Sequence, residues 1–426
     1  MRNVYQQHDR NFRKGIQQLL SSIKVAILNE NQNIWLIRST GGQFARHFRS
    51  ANLIAIKHLQ SAYKGDCPDI IPSNEKIKDR LLNNDDFSEF RRDSNGKETK
   101  FLTRSGSVLL GQIDKFVNNI MQGDLILTKN EFGDYSVGIC NSDLAYIDHT
   151  LVKFDVADSE QERPSLNYKL RKEVTWGPNI KSSDLPSTVR KATSGQQTVT
   201  CLNDSREKIF HLIYPFFTDG EHLFFSNKIK TNDEINALVI GKLFQNVSLS
   251  EHLIHLLLNG NTINASDFTK LIDESFLNNF LSSTCKAEFM SPGDMWSKIP
   301  LDKTVMPAAQ ILAGVLACLI MTGQITAESL DKLNEKDNSS IINLKRAESA
   351  PESMFNDKYK PAETLPIFKT LTTNAKKQKE QLEELDKERS ISEINDRLKL
   401  KVTETKTDKL ENFEYGINVF QIGAAQ

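Results

Sequence analysis

No two cysteines in this chain have the spacing of a metal knuckle. Cys67, Cys140, Cys201, Cys285 and Cys318 are odd in number, far apart and never in a Cys-x-x-Cys pair. That argues against a disulfide framework or a zinc ribbon, and a reducing, cytoplasmic setting is the simplest expectation. Charge of one sign is also missing: 54 Lys/Arg face 55 Asp/Glu, a net −1. The molecule as a whole is no polycation, so any contact with nucleic acid needs a local basic face. There is no GxxxxGK[ST] loop, no GxSxG elbow and no HExxH pair, which removes the commonest signatures of a P-loop ATPase, an α/β-hydrolase and a zincin. Nothing calls for a cofactor or a metal. The opening MRNVYQQHDRNFRKGIQQLL is polar and basic without an apolar core, unlike a secretory signal. Internal repeats are absent.

Positive charge is present but uneven. Residues 1–60 carry nine Lys/Arg against two Asp/Glu, and residues 163–230 carry eleven against six. Residues 1–32 read as a leading amphipathic helix, with Ile16, Leu19, Leu20, Ile23 and Ile27 at helical spacing. From 33 to 247 short β-type runs alternate with turn signals: IWLIR (34–38), ANLIAIKHL (51–59), GDLILTK (123–129), YSVGICN (135–141), KEVTWG (172–177) and TVTCL (198–202). A helical stretch, 108–121, lies among them, and the polar connection 66–100 reads as a helical insertion. Short strands with one or two helices predict an α+β fold built on a small mixed β-barrel.

Beyond this domain the texture turns helical. Residues 248–330 predict an all-helical domain, which is one of two candidate places for a protein partner or a homo-oligomer. Its most apolar piece, Met306–Gly323, suits a buried helix better than a bilayer span, because small residues recur every four positions. Residues 331–411 carry seventeen Lys/Arg and seventeen Asp/Glu and read as a charged, flexible linker. Within it, 376–400 predicts a solvated helix. Leu382, Leu385, Ile391, Ile394 and Leu398 give that helix a narrow apolar seam, a minority case for a protein partner or a homo-oligomer. Residues 412–426 regain apolar character and can dock back.

The segment IWLIRSTGGQFARHF (34–48), followed by NLIAIKHL (52–59), resembles the opening of the PUA/EVE-like N-terminal domain of Mrr-type restriction proteins. Trp35, Ile37, Arg38, Gly41, Gly42, Ala45, Phe48 and Ile56 carry the likeness. Further pieces follow in order to about residue 212: Phe116 with Gly123, Asp124 and Leu125; Gly138; Arg171, Val174 and Trp176; Leu185, Pro186, Thr198 and Val199. Lys57-His58 replaces the family's Gly-Trp, and the 66–100 connection is long. The resemblance implies a DNA-binding module, in several relatives a reader of a modified base flipped into a pocket, in a bacterial restriction or phage-defence setting. A flipped base needs stacking walls, edge hydrogen bonds and phosphate contacts. The matching candidates are Trp35 and Trp176 for walls, and Ser39, Thr40, Gly41, Gly42 and Gln43 for the base edge. Arg38, Arg46, Arg49, Arg171 and Lys172 are the candidates for phosphate.

Two other classes stay open. A nuclease needs an Asp with a Glu-x-Lys, and the candidates Asp93 with Glu98-Thr99-Lys100, and Glu404-Thr405-Lys406, sit in polar sequence without flanking apolar strands. A membrane-acting effector would use 306–323. His252 and His255 lie on an apolar helix and read as core or boundary histidines. In EFMSPGDMW (288–296), Asp294 is placed as a helix cap and Trp296 as an anchor for the helix that follows.

Overall fold

The structure is a computed structural model. It describes residues 24–28, 31–92, 98–153, 164–185, 187–278, 281–288, 293–302, 305, 307–331, 342–345, 361–403 and 418–422. The fold is mixed α+β, and the described residues form two compact units, 31–209 and the remainder. The single domain expected over 33–247 therefore ends earlier, near 209.

The first described strand, Lys24–Ile27 (β1), belongs to the second unit. The leading helix expected over 1–32 is corrected at its end, where Ile27 lies on a strand, while residues 1–23 lie outside the described residues.

The 31–209 unit contains strands Ile34–Ile37 (β2), Leu53–Ile56 (β3), Ser88–Arg92 (β4), Glu98–Leu102 (β5), Leu125–Lys129 (β6), Tyr135–Cys140 (β7), Tyr146–Ile147 (β8), Leu170–Ile180 (β9) and Val199–Cys201 (β10). Its helices are Ala45–Ser50 (α1), His58–Ala62 (α2), Asn74–Leu82 (α3), Arg104–Asp114 (α4), continued by a π turn Lys115–Asn119, and Ser187–Ser194 (α5). The sheet order is β10-β2-β6-β7-β9-β3, with β2 parallel to β6 and its other pairs antiparallel. The first four residues of β9 pair with β3, the first two of them also with β8, and the rest of the strand pairs with β7. One long strand shared in this way curls the sheet into a half-barrel. Gly138 sits at a register shift between β7 and β9. A Cβ there would stand 2.6 Å from a Val174 methyl and 2.8 Å from the Trp176 ring, so the bulge needs glycine.

Phe48, Ile54, Ile56, Ile113, Phe116, Ile126 and Val174 fill the hollow of the curl. Thr103 caps α4 by accepting from the Gly106 N–H, which starts the helix so that Leu109, Ile113 and Phe116 face inward. Among the described residues the 66–100 connection is helical only over α3. Its second half is the hairpin β4–β5, which pairs with no other strand among the described residues.

The second unit is not all-helical. Strands β1, Phe216–Thr218 (β11), His222–Ile229 (β12), Thr284–Glu288 (β13), Gly293–Pro300 (β14), Ile342–Lys345 (β15), Lys401–Val402 (β16) and Asn418–Ile422 (β17) form one sheet. Asp294 and Trp296 lie on β14 rather than at the start of a helix. Pro292-Gly293 between two runs of β-type residues was the available hairpin signal. The helix Arg206–Ile213 (α6) runs across the boundary at 209, and the other helices are Ala237–Asn259 (α7), Ala265–Asn278 (α8), Pro307–Met321 (α9) and Ala327–Asp331 (α10), then Pro361–Lys377 (α11), Lys379–Arg389 (α12) and Ile391–Leu398 (α13).

Every residue of α9 from Ala308 to Met321 is buried. A helix apolar on all sides must be enclosed on all sides. It packs on α7, α11 and β12. Among the described residues no helix is long and apolar enough to cross a membrane. The charged linker expected over 331–411 is corrected across 361–398. Phe368, Leu371, Ala375, Leu382, Leu385 and Ile391 lie in the same core as α9. Arg389 donates from Nε to Asn246 Oδ1 (3.1 Å), and Asn395 donates to the Gly323 carbonyl (2.9 Å), tying α12 and α13 down. The seam expected to face solvent or a partner is occupied within the chain. The docking expected of 412–426 is seen in β17, which pairs antiparallel with β1.

Candidate nucleic-acid interface

Trp35 lies on β2 with 4 % of its surface exposed, and its Nε1 donates to Asp124 Oδ2 at 2.8 Å. Asp124 also accepts from the backbone N–H of Asn33 (2.8 Å) and Met121 (2.9 Å). Burial pushes this carboxyl above its ordinary range, and those hydrogen bonds oppose the shift. Trp176 is 6 % exposed and donates to the Phe48 carbonyl at 2.9 Å. The two tryptophans are core residues with satisfied N–H groups, so they do not wall an open pocket.

The loop after β2 is unusual in its backbone. Thr40, Gly41 and Gly42 all have positive φ, at 52°, 66° and 100°. Ser39 is buried and donates to the Lys129 carbonyl (3.0 Å), and the Thr40 hydroxyl lies 2.6 Å from the Tyr168 hydroxyl. Gly41 and Gln43 are exposed. The close approach at Gly42 is to protein, not ligand: a Cβ there would stand 2.4 Å from the backbone of Asn130. Gly42→Ala combines that clash with a disfavoured φ, and is expected to destabilise the 31–209 unit by about 2–4 kcal/mol in urea unfolding. A midpoint unchanged from wild type would show that this loop does not hold the turn after β6.

The five predicted phosphate contacts divide. Arg171 is 1 % exposed, donating to the Tyr168 and Thr150 carbonyls and pairing with Asp148. Lys172 is fully buried, its Nζ donates to the Asp143 carbonyl (2.7 Å), and burial lowers its pKa. Neither can reach phosphate. Arg38, Arg46 and Arg49 are half-buried and lie at one end of the curl. Arg38 donates to the Thr193 carbonyl at 3.1 Å. Arg49 donates to Gly177 and Asn179, and burial lowers its pKa. Arg46 pairs with Glu131, and its guanidinium lies 5.4 Å from the centre of the Phe132 ring.

Those contacts join three segments: 38–49, 129–135 and 179–194. Asp134 accepts from the Ser182 N–H (3.0 Å), and Tyr135 donates to Thr193 (2.9 Å). The same three segments carry Lys129, Lys181, Arg190 and Lys191, all exposed and none of them singled out by motif. With Arg38, Arg46 and Arg49 they make seven cations against Glu131, Asp134 and Asp184. Phe132, at the tip of the turn, is 74 % exposed.

The alternative chemistries find less support. Glu98 pairs with Arg92 and Lys100 with Asp85 on the exposed β4–β5 hairpin, while Asp93 and 404–406 lie outside the described residues. Among the described residues no three His, Cys, Asp or Glu side chains group as metal ligands. His252 packs edge-on against Phe268. No family model, curated protein or solved structure matches this chain.

Proposed function

We propose that the 31–209 unit is a nucleic-acid-binding module of PUA/EVE-like type, serving a restriction or phage-defence protein. Its interface is the end of the half-barrel where the segments 38–49, 129–135 and 179–194 meet. The observation that carries this reading is the local charge: seven Lys/Arg against three Asp/Glu on segments tied together by hydrogen bonds, in a chain of net −1. Exposed lysines and arginines on one face attract the phosphate backbone and release its counterions. The curled mixed sheet is compatible with the resemblance drawn from Trp35 to Val199. Base discrimination, if it includes a modified cytosine, falls to Gly41, Gln43 and the neighbouring backbone, because the tryptophans are enclosed.

The test is a titration of the full chain against duplexes with unmodified, 5-methyl- and 5-hydroxymethyl-cytosine at two salt concentrations. The triple variant Lys181→Glu/Arg190→Glu/Lys191→Glu is expected to bind every duplex at least about tenfold more weakly, with a shallower salt slope by roughly 0.9 per lost phosphate contact. Wild-type affinity in that variant would remove this surface from consideration.

A further inference from the structure

We infer that this interface takes an unpaired nucleic-acid strand, with the Phe132 ring as the platform on which one base stacks. The inference rests on the nucleic-acid reading above and goes further, to strand form and contact residue. A phenylalanine that is 74 % exposed at a turn tip contributes little to the core and places apolar surface in water. The turn itself does not require an aromatic. It is built by Asn130, whose Oδ1 accepts from the N–H groups of Phe132 (2.9 Å) and Asp134 (3.0 Å) and whose own N–H donates to the Asp134 carbonyl (2.7 Å).

Two features prepare the ring for a ligand. Gly42 packs against the backbone of Asn130, and the Asn130 bonds fix the turn from within, so little conformational freedom remains to be lost on binding. Arg46 lies against the ring, 5.4 Å from its centre, and is itself held by Glu131. An aromatic ring backed by a guanidinium offers its remaining surface to a planar base, while Lys129 next to it and the cations of 179–194 suit the strand's phosphates. Stacked bases inside a duplex present edges and not faces, so this arrangement selects bases that are not paired. Phe90 and Phe101 are also exposed, but their hairpin balances Arg91, Arg92 and Lys100 with Glu89, Glu98 and Asp85. That surface lacks the charge complementarity, and Phe90 serves as a control.

The experiment compares oligo(dT), oligo(rU) and a blunt duplex of matched length on the full chain, reading anisotropy and tryptophan emission. Phe132→Ala is expected to weaken binding to the single strands about tenfold and to leave the duplex unchanged. Phe132→Trp should retain affinity and show emission quenched as the base stacks, and Phe90→Ala should behave as wild type. The two oligonucleotides separate DNA from RNA as the source of the strand. Single-strand binding that survives Phe132→Ala, or equal losses on strand and duplex, overturns the stacking inference while the charge-reversal variant still judges the interface. Failure of the wild-type chain to bind any of the three probes overturns the interface reading as well.

Discussion

Replacing Asp124 with Ala is expected to cost the 31–209 unit about 3–5 kcal/mol, a large fraction of an ordinary domain's stability of about 5–15 kcal/mol. Asp124 is 2 % exposed and accepts three N–H bonds, from Trp35, Asn33 and Met121. The truncation strands the buried Trp35 donor, which costs roughly 1–3 kcal/mol, and leaves the part-buried Asn33 and Met121 N–H groups only partly able to turn to water. Asp124→Asn should fall between wild type and Ala. Its single oxygen can serve the two donors that share Oδ2, but its amide NH2 then faces the Asn33 N–H. The measurement is urea unfolding followed by tryptophan emission, with near-UV dichroism to confirm that Trp35 loses its fixed environment. Equal stability in all three proteins would mean that Trp35 is held by packing alone.

The same residue shows how far the sequence could be read. Gly123-Asp124 was legible as the start of a strand, and strand β6 begins at Leu125. Five of the six strand segments expected between 34 and 202 contain an observed strand and the sixth, 172–177, lies inside β9, because apolar runs bounded by Gly, Asn and Asp leave few alternatives. Burial was harder to read. All four residues of β2 are buried, so alternation could not tell an outward Trp35 from an inward one. For Arg171 and Lys172 a signal was available. Neighbours on a strand point to opposite faces, so the two could not both have lined one phosphate surface. The exposed cations belong to two separate segments, Lys129 to one and Lys181, Arg190 and Lys191 to the other, and tertiary bonds such as those from Ser182 to Asp134 and from Tyr135 to Thr193 bring those segments together.

In the other unit, composition misled where periodicity informed. Equal numbers of acids and bases over 331–411 suggested a solvated tail. The narrow seam Leu382, Leu385, Ile391, Ile394 and Leu398 is nevertheless buried. A helix needs only one apolar stripe to pack, whatever its mean charge. The strands 284–288 and 293–300 were missed for a related reason. Lys286, Asp294 and Lys298 interrupt the apolar pattern, yet β14 sits between β12 and β13, where its backbone is fully used.

Acid is expected to destabilise the second unit through His211. This imidazole is 2 % exposed and stacked on Trp296, with centroids 5.1 Å apart and planes 8° apart, while Phe217 meets it edge-on at 4.7 Å. Its Nδ1 lies 2.6 Å from the fully buried Ser226 hydroxyl. Burial, with a smaller contribution from Lys286, lowers its pKa from 6.5 to about 3. Above pH 6.5 the ring is neutral in both folded and unfolded chains, and its full contribution to stability is present. As pH falls from 6.5 towards 3 the unfolded chain binds a proton that the folded chain refuses, so stability drops by up to about 1.4 kcal/mol per pH unit and by roughly 5 kcal/mol in all. His211→Gln gives up the aromatic stack and should be less stable at neutral pH, but its stability should vary much less between pH 6 and pH 4. The difference between the two pH profiles isolates this residue. His58, whose pKa burial also lowers to about 4, contributes equally to both proteins and cancels. Parallel profiles for wild type and His211→Gln would mean that the acid sensitivity arises elsewhere and that His211 is not kept neutral by the stack it makes with Trp296.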